Sequence, residues 1–130
     1  MRVVLDTNVL IAALIAHGTC HEVLEQCVHQ HEIVASASLL RELHRVLVNK
    51  FGYSRREANE VERLLKPRMI LVSPQPLDGP VCSDPDDDVI LATAVAGDCR
   101  CLITGDKDLL KLQQFRGIDI ITPEQFWRYE

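Results

Sequence analysis

Short apolar runs that alternate with helix-period stretches along the whole chain restrict this sequence to one class of fold. Arg2–Leu5, 33–35, Met69–Val72, Cys101–Ile103 and 119–121 are strand-length and rich in Val, Ile and Leu, as strands buried on both faces are. Between them lie helical patterns: one running through Ala16, then 22–30, then 38–48 with Leu39, Leu40, Leu43, Val46 and Leu47 on one face. Ser54 and Glu57 have the spacing of a capping box, which opens a further helix carrying Ala58, Val61, Leu64 and Leu65 inward. Pro67 ends it. Asp84 and Pro85 start a helix that runs to about Ala96, and Thr122, Pro123 and Gln125 cap a last short one bearing Phe126 and Trp127. Strands alternating with helices predict an α/β, three-layer sandwich with a mostly parallel central sheet flanked by helices. The proline-bearing stretch 73–80 reads as a loop within a single domain, residues 1–130.

Aromatic residues make up 5% of the 130 residues and hydrophobic ones 47%, so the core must be aliphatic. No apolar run approaches the roughly 18 residues a membrane span requires, and the N-terminus is a poor match to a signal peptide. The expectation is a cytoplasmic protein with no membrane contact. The 5 cysteines include no CxxC pair and read as reduced thiols. His17, Cys20, His21, Cys27, His29 and His31 crowd around one helix, but their spacing fits no common zinc template.

A net charge of −5 argues at first against a nucleic-acid partner. Its distribution argues otherwise. Arg41, Arg45, Lys50, Arg55, Arg56, Arg63, Lys66 and Arg68 fall in one stretch, while acids gather at 78–88 and 106–108. Phosphate attraction beside a cation-holding pocket is what a metal-dependent nuclease needs; a solvated helical surface accounts for the basic residues equally well. Arg41, Arg45, Arg55 and Arg56 are the candidate nucleic-acid contacts.

In open parallel sheets the site lies beyond the carboxyl ends of the strands. Asp6 closes the first strand and Asp106 follows the strand Cys101–Ile103; Asp88 opens the helix that leads into that strand, and Glu42 lies on the helix after the second. An ionisable group closing a buried strand is costly unless it is paired or binds a cation. Asp106 could equally cap a following helix, and Glu42 could be a solvent-edge ion-pair partner of the neighbouring arginines. Asp84, Asp86 and Asp87 are accounted for as cap and first-turn acids. Asp88 is preferred because Ala92 and Val95 continue its face toward the sheet. Carboxylates sharing a pocket oppose one another's ionisation unless a hard cation such as Mg²⁺ or Mn²⁺ joins them. Such an ion activates water and stabilises charge on a phosphoryl group.

The motifs around these acids resemble those of the PIN-domain family. They are Val-Leu-Asp6-Thr7-Asn8-Val-Leu, Ala-Ser-Leu-Leu-Arg-Glu42-Leu, Ser-Asp-Pro-Asp-Asp-Asp88-Val-Ile-Leu-Ala-Thr-Ala and Leu-Ile-Thr104-Gly105-Asp106-Lys-Asp-Leu-Leu. Within that family the chain is most similar to VapC-like toxins of bacterial toxin–antitoxin pairs. The resemblance implies an Mg²⁺- or Mn²⁺-dependent endoribonuclease, a homodimer, and a cognate antitoxin. It implies Asp6, Glu42, Asp88 and Asp106 as catalytic, metal-binding acids, Thr7 and Asn8 as groups that orient Asp6, and Thr104 as a polar contact near Asp106. Asp84, Asp87 and Asp108 are additional acids able to substitute or assist. Two rivals stand beside this reading. A haloacid-dehalogenase-like phosphatase needs a second acid where this chain has Asn8. A PIN fold kept as a catalytically weak binding or regulatory module would work through a protein partner.

Overall fold

The computed structural model describes residues 1–129. Its strands are β1 (Arg2–Leu5), β2 (Glu32–Ser36), β3 (Met69–Val72), β4 (Cys101–Ile103), β5 (Gln114–Phe115) and β6 (Ile118–Ile121). They form one sheet in the order β3-β2-β1-β4-β6-β5. Every pairing is parallel except the β5–β6 hairpin. In β1, Val3, Val4 and Leu5 are all buried, and in β4 so are Cys101, Leu102 and Ile103. Successive side chains point to opposite faces, so both faces of the sheet are covered. The expected three-layer architecture is therefore the observed one.

The helices are α1 (Thr7–Ile15), α2 (Thr19–Gln30), α3 (Ala37–Phe51), α4 (Arg55–Leu65), α5 (Pro85–Ala96), α6 (Lys107–Leu110) and α7 (Pro123–Phe126). Their ends follow local chemistry. The Ser36 hydroxyl caps α3 by accepting from the Leu39 N–H, and Gly52, at φ 72°, ends that helix in a left-handed turn that glycine adopts freely. Ser54 and Glu57 form the complete capping box on α4, and Thr122 and Gln125 form one on α7. Pro67 does not stop α4 outright; Lys66–Arg68 continue it as one 3₁₀ turn, where the missing N–H costs least. Leu64, expected to face inward, is 66% exposed, because α4 buries only the Ala58–Leu65 edge of its apolar side.

Two features position the site. From β1 the chain winds one way through β2 to β3, then returns across the sheet to β4 and continues the other way to β6. The reversal leaves a crevice between the carboxyl ends of β1 and β4. The return crossing is made by α5, which packs on β1, β2 and β4 and buries Ile90, Leu91 and Ala94. Its last turn lies so close to β2 that a Cβ on Gly97 would stand 2.5 Å from Val34 Cγ1. Tight contact at one end of α5 fixes where its acidic first turn falls at the other.

Candidate metal centre

Asp6 occupies the N-cap position of α1 but does not cap it through its side chain. Its carboxylate instead accepts a 2.7 Å hydrogen bond from the Thr104 hydroxyl, and its N–H donates to the Ile103 carbonyl at 2.9 Å. Asp6 is 4% exposed and Thr104 is fully buried. The Thr104 oxygen also accepts from the Asp106 N–H at 3.0 Å, so one hydroxyl ties the ends of β1 and β4 together. Burial pushes the Asp6 carboxyl above its ordinary range. Hydrogen bonds from the Thr104 hydroxyl and the Thr7 backbone oppose that shift, and the charges of Asp106 and Glu42 add to it.

Asp106 caps α6 by accepting from the Asp108 N–H at 2.8 Å. Across the crevice, the inward face of α5 begins with Asp87, which is 7% exposed. Its carboxyl is pushed up to about 6, first by burial and then by the charges of Asp106, Asp84, Asp6 and Asp108. Asp87, Asp106 and Asp108 each place a carboxylate oxygen within 4.8 Å of the others, the one such set of metal-ligating side chains among the described residues.

The remaining sequence candidates are placed differently from one another. Asp88, one residue beyond Asp87, turns to the preceding loop: its carboxylate accepts from the Cys82 N–H at 2.8 Å and the Val81 N–H at 3.2 Å. Asp84 accepts from the Asp86 N–H and caps α5, as its position before Pro85 suggested. Glu42 lines a cleft of about 430 Å³ with Thr7, Ser38, Arg41, Arg45, Asp86 and Ile90. There its carboxylate is gripped by Arg45 at 2.6 and 2.7 Å. The Thr7 hydroxyl is buried without a hydrogen-bond partner. Asn8 is exposed and opens onto a separate recess shared with Gly105 and Thr122. Arg41 donates to the Ser38 hydroxyl, Arg55 shares a surface recess with Arg45 and His44, and Arg56 is exposed in the first turn of α4.

The register of α5 sets Asp87, expected only as an additional acid, ahead of Asp88. Asp87, Leu91 and Ala94 share a face at helical spacing as well as Asp88, Ala92 and Val95 do. The fully buried Leu91 and Ala94 mark the first set as the inner one. The histidines and cysteines near α2 do not converge. His17 packs edge-on against His21, and His21 and His29 each approach Glu25, at 3.6 and 3.7 Å. All cysteines are free.

An oxygen-only donor set gathered at one point suits a small hard divalent cation better than zinc or copper. A parallel sheet with such acids at its β1–β4 crevice fits the PIN-type domain that the sequence motifs resemble. A PIN domain sequence profile matches residues 2–108, and the chain belongs to that family. Similar solved structures include VapBC2 from Rickettsia felis bound to a DNA fragment from their promoter. That match has TM-score 0.68 and 16% identity over 94% of this chain and 98% of that one. VapBC-1 from nontypeable Haemophilus influenzae matches with TM-score 0.66 and 18% identity over 95% and 99%. DNA-bound VapBC from Salmonella typhimurium gives 0.63 and 17% over 95% and 98%. Among curated proteins nothing matches.

Proposed function

We propose that this protein is a divalent-metal-dependent endoribonuclease of the VapC kind, acting as the toxin of a toxin–antitoxin pair. The observation that carries the reading is the set of mutually repelling carboxylates at the β1–β4 crevice. Asp6, Asp87, Asp106 and Asp108 would hold Mg²⁺ or Mn²⁺, with Glu42 at the edge of the same site. Asp87 takes the place that the sequence spacing suggested for Asp88, whose carboxylate is committed to the Val81 and Cys82 N–H groups.

When bound, the cation supplies Lewis-acid stabilisation of a phosphoryl oxygen and a lowered pKa for a bound water. The chain's own residues do the rest. Thr104 holds Asp6 in one orientation and keeps its carboxyl from rising further. Arg41 and Arg45, on the wall of the adjoining cleft, attract the phosphates of a single strand, and Arg55 and Arg56 extend that basic track along α4. Shape and these positive charges, rather than the acids, select the RNA.

The likeness to VapBC assemblies supports a cognate antitoxin; a homodimeric toxin and a cytoplasmic setting are further parts of the proposal. No helix among the described residues is long and apolar enough to cross a membrane.

The test is cleavage of RNA by the purified protein, free of antitoxin, in Mg²⁺, Mn²⁺ and EDTA, beside Asp6→Asn and Asp87→Asn. Cleavage should require metal and fall by at least about a hundredfold in each variant. A broad RNA panel left intact by a protein that binds Mn²⁺ would favour the binding-module reading, which the DNA-bound neighbours make concrete.

A further inference from the structure

The cleft beside the acids contains two facts that belong together. Glu42 is not available to a cation, because Arg45 chelates its carboxylate with Nη2 and Nε at 2.6, 2.7 and 3.2 Å. The Thr7 hydroxyl, 5% exposed and on the same wall, has no partner. A buried hydroxyl without a protein partner is completed by a water, an ion or a ligand that reaches it. Arg45 is itself long and exposed, with Asp86 as its other charged neighbour.

We infer that Arg45 is a two-position latch, and the inference rests on the nuclease reading above. Without nucleic acid its guanidinium neutralises Glu42. When a strand enters the cleft, a backbone phosphate takes the guanidinium and the Thr7 hydroxyl as donors, and Glu42 is released toward the acids around Asp6. A guanidinium pairs bidentately with phosphate as well as with carboxylate, so the exchange keeps its hydrogen bonds. The released carboxylate adds an oxygen ligand and a negative charge to the cation site. Cation and nucleic acid therefore bind with positive coupling, each tightening the other by the same factor. Arg45 is a positioning residue in this scheme. It sets when the site becomes fully charged.

The experiment is calorimetric titration of Mn²⁺ into wild type, Arg45→Gln, Arg45→Lys and Arg41→Gln, each with and without a phosphorothioate oligoribonucleotide that resists cleavage. Arg41→Gln removes an equal charge from the same cleft without freeing Glu42, so it measures the purely coulombic gain. Wild type should bind Mn²⁺ about threefold tighter with the oligomer, the scale of one partly exposed ion pair. Arg45→Gln should already bind more tightly than Arg41→Gln in its absence and gain nothing further from it. Arg45→Lys should retain part of the coupling. Equal Mn²⁺ affinity in Arg45→Gln and Arg41→Gln, or a wild type indifferent to the oligomer, overturns the latch while leaving metal-dependent cleavage intact. If no variant binds Mn²⁺ at all, the latch and the nuclease reading fall together.

Discussion

Replacing Asp87 by Asn should stabilise the metal-free protein. A folded-state carboxyl raised to about 6 from its ordinary 3.8 is a group whose ionisation opposes folding. Its favourable protonated state is fully present below the unfolded value and is lost as pH rises through about 6. At roughly 1.4 kcal/mol for each tenfold in the proton equilibrium, ionisation at pH 7.5 costs the fold up to about 3 kcal/mol. Water at the mouth of the crevice screens the neighbouring acids, so about 2 kcal/mol is the working figure. In a chain of this size that corresponds to a rise in Tm of about 5–10 °C. The assay is thermal unfolding of wild type and Asp87→Asn in EDTA from pH 4 to pH 8. The gain should be clear at pH 7.5 and absent by pH 4, and Mn²⁺ should reverse the order by stabilising wild type alone. A variant no more stable than wild type at pH 7.5 in EDTA, or a gain that persists at pH 4, refutes the argument that Asp87 sits charged among like charges.

Asp88→Ala should behave in the opposite way: it strips two N–H groups of their acceptor and costs about 1 kcal/mol, while Mn²⁺ affinity stays within about twofold in calorimetry. Thr104→Val removes the hydrogen bond that lowers the Asp6 carboxyl, so the acid limb of the cleavage profile should move to higher pH. The same change leaves the Asp106 N–H without its acceptor and should lower the denaturant midpoint by about 1–3 kcal/mol equivalent. Gly97→Ala drives a methyl group into Val34 and should cost about 1–3 kcal/mol by chemical denaturation, with partial rescue in the Val34→Ala background.

The parallel architecture was legible because its strands are buried on both faces, which leaves an unmistakable density of Val, Ile and Leu in runs such as Arg2–Leu5 and Cys101–Ile103. The helix starts were legible because capping is local chemistry: Ser54 with Glu57, Thr122 with Gln125, and Asp84 before Pro85 all act where they stand. What depends on tertiary packing was not. The two-residue strand β5 carries no pattern of its own and exists only through its pairing with β6. The choice between Asp87 and Asp88 turns on roughly 100° of rotation about α5, which the sheet beneath it decides. The adjacency of Glu42 and Arg45 could be read as an ion pair from spacing alone. The unsatisfied Thr7 hydroxyl on the same wall could not.

The hydroxyl of Thr104 joins residues 98 positions apart. Asp6, Glu42 and Asp87 all precede β4 in the chain, so β1 has one edge open until β4 is made. Of the two strands at the centre of the sheet, β1 is the first made and β4 the fourth. A chain cut short before β4 therefore carries Asp6, Glu42 and Asp87 without the crevice that gathers them.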